Sequence, residues 1–72
     1  KYYPNPTSDL LTINYNEVIT KVEVFDLNGR LVMTREFESE TVQLDFGKLS
    51  SGTYMLNVKT KDSSQFIKIV RK

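Results

Sequence analysis

The tetrapeptide Asp26-Leu27-Asn28-Gly29 constrains this chain more than any other stretch, because it reverses the backbone between two β-rich runs within residues 21–35. Asn28-Gly29 alone would suit a two-residue type I′ turn. A type I turn closed by a glycine bulge fits better. Asp26 then stands at the first turn position, where its carboxylate accepts local backbone N–H groups, and Gly29 stands where positive φ is required. That turn predicts Asp26 opposite Arg30, Val24 opposite Val32 and Val22 opposite Thr34. Val22, Val24 and Val32 would share one face and Phe25, Leu31 and Met33 the other, an assignment that a one-residue slip would invert. Neither face is polar, so the hairpin is predicted to lie inside a sheet with cover over much of both sides.

The flanking sequence supplies further strands. Residues 10–15 alternate, with Leu11, Ile13 and Tyr15 on one face, until Asn16-Glu17 interrupts them. Residues 30–38 form the longer arm of the hairpin and run into an acidic tip at residues 36–40, read as a solvated turn. Val42, Leu44 and Phe46 share a face in the next alternating run, as do Tyr54, Leu56 and Val58 in the one after it. The loop between these two runs anchors Leu49, and residues 61–64 make a polar turn. Residues 66–70 are apolar on both faces and are predicted to run between neighbours rather than along an edge. No stretch shows sustained helical periodicity. Six short strands, with a seventh from Tyr2 and Tyr3 or from a break after Thr34, predict an all-β fold: a small antiparallel β-sandwich.

Seventy-two residues allow one domain, residues 1–72, and no cysteine is present to staple it. The N-terminus, Lys1-Tyr2-Tyr3-Pro4, lacks both an initiator Met and a signal-peptide pattern, so the chain reads as a fragment of a longer protein. Ten basic and nine acidic residues give a net charge of +1, far from the basic excess of a nucleic-acid module. No apolar run approaches the roughly 20 residues of a transmembrane helix.

Catalysis needs a base, a nucleophile or paired acids held in a pocket. With no His or Cys, the candidates are Ser50-Ser51 and Ser63-Ser64 beside turns, Lys48 in a loop, and scattered carboxylates. None forms a catalytic constellation, and no cofactor or metal site is predicted. The three glutamates at residues 36–40 lack the alternating ligands and glycine of a calcium loop. Sugar binding would require exposed aromatic faces. Phe25, Phe46, Tyr54 and Phe66 fall at core-like positions, which leaves Tyr2, Tyr3, Tyr15 and Phe37 for such a platform.

Several features stand in a particular order: Tyr3-Pro4-Asn5-Pro6-Thr7, the strand with Leu11 and Ile13, the segment from Val22 through Gly29 to Val32, Leu49-Ser50-Ser51-Gly52-Thr53-Tyr54-Met55-Leu56, and the ending Phe66-Ile67-Lys68-Ile69-Val70-Arg71-Lys72. In that order and spacing, over essentially the whole chain, the sequence resembles the C-terminal sorting domains of type IX secretion cargo proteins, found in Bacteroidetes. The resemblance implies an immunoglobulin-like sandwich at the end of a larger exported protein. It implies a substrate and ligand of the secretion machinery, not a catalyst. Such domains take an N-terminal cargo domain in the same chain from the periplasm to the outer-membrane translocon. A sortase-like surface protease then removes them, leaving the cargo at the cell surface or secreted.

The matching positions are Asn5 and Pro6 at the entry, Gly29 in the hairpin, Gly52 and Tyr54, and the basic final strand with Lys68, Arg71 and Lys72. Asn5-Pro6, Gly29 and Gly52 also set turns and Tyr54 also packs, so the basic strand is the better candidate for direct contact with a partner. An accessory role, as spacer or weak carbohydrate-binding domain of a surface enzyme, is the alternative reading.

Overall fold

The computed structural model describes residues 2–3 and 9–72. It is all-β and antiparallel, with strands β1 (Tyr2–Tyr3), β2 (Leu10–Phe25), β3 (Leu31–Asp45), β4 (Gly52–Thr60) and β5 (Ser64–Arg71). They form one hydrogen-bonded sheet in the order β1-β2-β4-β5, with β3 on the other edge of β2. Five strands replace the expected six or seven because two expected interruptions do not end a strand. Asn16-Glu17 lies inside β2, and the acidic stretch at residues 36–40, expected as a turn, lies inside β3.

Both interruptions survive as bends. Asn14 pairs with Thr41, yet the next β2–β3 pair is Ile19 with Ser39, followed by Lys21 with Glu36. Unequal numbers of residues therefore separate successive pairs on the two strands, which is what makes a ladder bulge, bend and twist. Against β4 the register slips in the same place, between Ile19 and Lys21. The long β2–β3 hairpin thus folds across its middle. Leu11, Ile13, Val42, Leu44 and Phe46 from one half then join Val22, Val24, Leu56, Val58 and Ile69 from the other in a single buried cluster. Burying each of these large side chains is worth about 1.5–3 kcal/mol against exposure.

Side-chain bonds tie the two halves at both ends. At one end the Tyr15 hydroxyl donates to Gln65 Oε1 (3.0 Å), and Glu17 Oε1 accepts from the Thr60 and Ser63 hydroxyls at 3.3 and 3.2 Å. At the other end the Phe46 and Tyr54 rings meet edge to face, with centroids 5.9 Å apart.

The turn at residues 26–29 forms as its sequence predicts. Gly29 N–H donates to the Asp26 carbonyl (3.0 Å), Asp26 N–H donates to the Arg30 carbonyl (2.9 Å), and Gly29 has φ 81°. One Asp26 carboxylate oxygen accepts the Asn28 and Arg30 N–H groups at 2.9 and 3.0 Å. Beyond the turn the predicted register fails. Phe25 pairs with Leu31, but Val24 pairs with Met33 and Val22 with Arg35, because Val32 is an extra, bulged residue. Val32 and Met33 consequently both pack against the core, where only Val32 was expected to share the face of Val24.

The last strand also departs from expectation. Among the described residues β5 pairs with β4 alone, so it closes the sheet instead of running between neighbours. Its inward Ile69 is fully buried, while Phe66 and Val70, pointing the other way, are 57 and 38% exposed.

Candidate docking face

β2, β4 and β5 each bury one face in the core, and their outer face mixes Phe25, Met55, Phe66 and Val70 with Glu23, Asn57, Lys59 and Lys68. The strand register places the outward residues in rows. Leu31, Phe25, Met55 and Lys68 lie side by side across four strands, and Thr34, Glu23, Asn57 and Phe66 form the row beside them. Phe25 and Phe66 approach with ring centroids 6.4 Å apart and planes tilted by 46°. Together with Asp26, Leu27, Gly29 and Met55 they line a shallow, mainly apolar depression of about 390 Å³. Leu27, at 72% exposed, and Leu31, at 50%, extend the apolar surface past its rim. This face is the main surface feature that the alternation does not announce. Phe25 and Phe66 were assigned to core-like positions, whereas they meet each other on the outer surface. The signal was present in residues 66–70 and 21–33, where both faces are apolar.

The charges around the face are unequal. Lys59 Nζ is paired with Glu23 Oε1 at 3.1 Å, and Arg30 Nε with Asp26 Oδ2 at 3.1 Å. The Asp26 carboxyl titrates below its ordinary value, chiefly because it accepts the Arg30 backbone N–H, with the Arg30 side chain and the Asn28 N–H adding to the effect. Lys68 is exposed, and it takes no part in the ion pairs among the described residues. On the same face Asn57, the cross-strand partner of Phe66, holds its side-chain oxygen out of solvent with no hydrogen-bond donor.

The basic residues of the last strand therefore divide. Arg71 is only 14% exposed in its side chain, not the free terminal charge that its position suggests. Its Nε donates to the Phe46 carbonyl (2.8 Å), and Nη2 lies 3.4 Å from the Gly47 carbonyl and 3.5 Å from Asp9 Oδ1. Asp9 and Phe46 are themselves joined through the Phe46 N–H and the Asp9 carbonyl, at 2.6 Å. Arg71 thus closes the end of the folded sheet.

The other sequence-predicted residues scatter. Gly52, with φ 149°, pairs with Arg71 where β4 begins. Tyr54 is 7% exposed in the core, and its hydroxyl donates to the Ser50 carbonyl (2.6 Å). Gly29 lines the apolar depression through the turn, Lys72 is exposed, and Asn5 and Pro6 lie outside the described residues. Gly52, Tyr54, Arg71 and Lys72 are gathered at one end of the sheet, and Lys68 stands apart on its outer face. Among the described residues no group of three or more carboxylates converges on a point.

The chain is 27% identical over 70 residues to an endo-acting ulvan lyase of Formosa agariphila, a match covering 94% of the chain and 14% of that enzyme. It is 32% identical over 66 residues to an ulvan lyase of Nonlabens ulvanivorans, covering 89% of the chain and 12% of the enzyme. The chain thus spans only a small part of the length of these relatives. Residues 1–72 in their entirety match the secretion system C-terminal sorting domain, and the chain belongs to that family.

Proposed function

We propose that this domain is a non-catalytic type IX sorting signal that directs an N-terminal cargo domain through the outer-membrane translocon. The cargo passes through the periplasm, and a sortase-like protease removes the domain when the cargo reaches the cell surface or is released. The observation that carries this reading is the family match over the whole chain, 1–72. The structure supports it by presenting Phe25, Met55 and Phe66 on the outer face beside Lys68, which makes no ion pair among the described residues, and this suits a domain that works by being bound. The bent sheet, with two halves closed over one core, serves as the family's immunoglobulin-like sandwich. The Tyr54–Ser50 bond supports that assignment, since a tyrosine bonded to backbone a few residues upstream is a known device of such sandwiches.

Of the sequence-derived candidates, we take the exposed Lys68 and Lys72 as those for direct contact, and Gly29, Gly52, Tyr54 and Arg71 as those that shape the domain. The test is delivery of a folded reporter fused ahead of residues 1–72, in a host with working type IX machinery. Surface or extracellular reporter is the expected result. Retention of the folded fusion in the periplasm would overturn the sorting role.

A further inference from the structure

We infer that the outer face around Phe25, Met55 and Phe66 receives an extended peptide segment of a partner protein. The segment offers one apolar side chain to the depression and one carboxylate to Lys68. This rests on the reading of the domain as one that works by being bound, and adds where and by what chemistry.

The occupant follows from two features of the face. The depression is lined by Phe25, Leu27, Met55 and Phe66 with Asp26 and Gly29 of the turn, and since Asp26 is already paired with Arg30 the apolar lining accepts an aliphatic or aromatic side chain. Lys68 stands directly across from Met55 and ends the apolar row with a positive charge. The neighbouring cations Lys59 and Arg30 already hold carboxylates, whereas Lys68, exposed and beside the depression, is available to an acidic partner.

A sugar fits less well. Rings tilted by 46° make a cleft for a side chain instead of the flat platform on which a pyranose stacks. An edge-strand lysine can also serve only to deter pairing between copies, and the experiment separates that role from recognition.

The isotope-labelled 72-residue chain is titrated with two blocked pentapeptides, Ac-Gly-Leu-Phe-Asp-Gly-NH₂ and its Asn counterpart, while backbone amide shifts are followed. Saturable shifts centred on Phe25, Met55, Phe66 and Lys68 are expected. The acidic peptide should bind about threefold more tightly at low salt, the size of one exposed ion pair. Lys68→Gln should remove that preference and leave residual binding, whereas Phe66→Ser should weaken both peptides, with amide dispersion confirming that each variant is folded.

The inference is overturned by equal affinities for the two peptides, by shifts centred elsewhere, or by no saturable response at these residues. Shifts that depend on chain concentration alone would replace it with pairing between copies. Saturation by an oligouronate with no response to either peptide would replace it with glycan binding. The titration needs no secretion machinery, so its failure is distinguishable from failure of the delivery assay.

Discussion

The inner and outer faces of β5 and of the turn end of β2 both carry large apolar residues, but their fates differ. Inside, Val22, Val24, Leu56, Val58 and Ile69 are at most 2% exposed, because the other half of the bent hairpin closes over them. Outside, Phe25 and Phe66 touch each other and Phe66 stays 57% exposed, because no described element lies across that face. Hydrophobicity alone therefore does not define the core of this domain. The bend in the long hairpin does, by choosing which face is covered. Exposed clusters of large apolar side chains such as this one are the surfaces at which a docking partner is to be sought.

That contrast can be broken most severely from the inside. Leu56→Ala removes a fully buried side chain between β2 and β5 and should cost about 2–5 kcal/mol, read by chemical denaturation. Arg71→Ala comes next. It strips the Phe46 carbonyl of its guanidinium donor and unlinks Asp9, and should cost about 1–3 kcal/mol, whereas Lys72→Ala should leave the melting temperature unchanged. Equal melting of the two variants would show that the Arg71 clamp contributes nothing. Gly29→Val should cost about 1–2 kcal/mol through backbone strain at φ 81°, since open space surrounds the position and no clash adds to it.

Acid should weaken the same turn. The folded Asp26 carboxyl titrates below its unfolded value, so its contribution is present in full above about pH 4 and is lost as pH falls through the folded value. The difference in melting temperature between the parent and Asp26→Asn should accordingly shrink below about pH 4. A constant difference would remove the carboxylate charge from the account of the turn. Smallest of all is the outer face: Phe66→Ser should cost under about 1 kcal/mol, the scale of one cross-strand pair.

How far these features are legible in the sequence depends on how local their causes are. The turn at residues 26–29 depends on Asp26 and Gly29 within four positions, and its hydrogen bonds match the reading. The buried faces with Val42, Leu44 and Phe46, and with Tyr54, Leu56 and Val58, are legible because polar residues occupy the opposite side of each strand. Residues 66–70 lack that contrast, so alternation could not say that Ile69 enters the core while Phe66 leaves it. The bulge at Val32 shifts the register by one residue and has no glycine or proline to announce it. Arg71 reads as a free terminal charge because its acceptors, the carbonyls of Phe46 and Gly47, come within reach only after the hairpin folds across its middle.

The central claim is that one apolar face holds the fold and the other serves delivery. The most direct test is export of a reporter fused to the Phe66→Ser domain, with the melting temperature of the same variant measured alongside. The account predicts a domain that melts close to the parent and a fusion that stays in the periplasm. A folded Phe66→Ser fusion that reaches the cell surface as efficiently as the parent would contradict it.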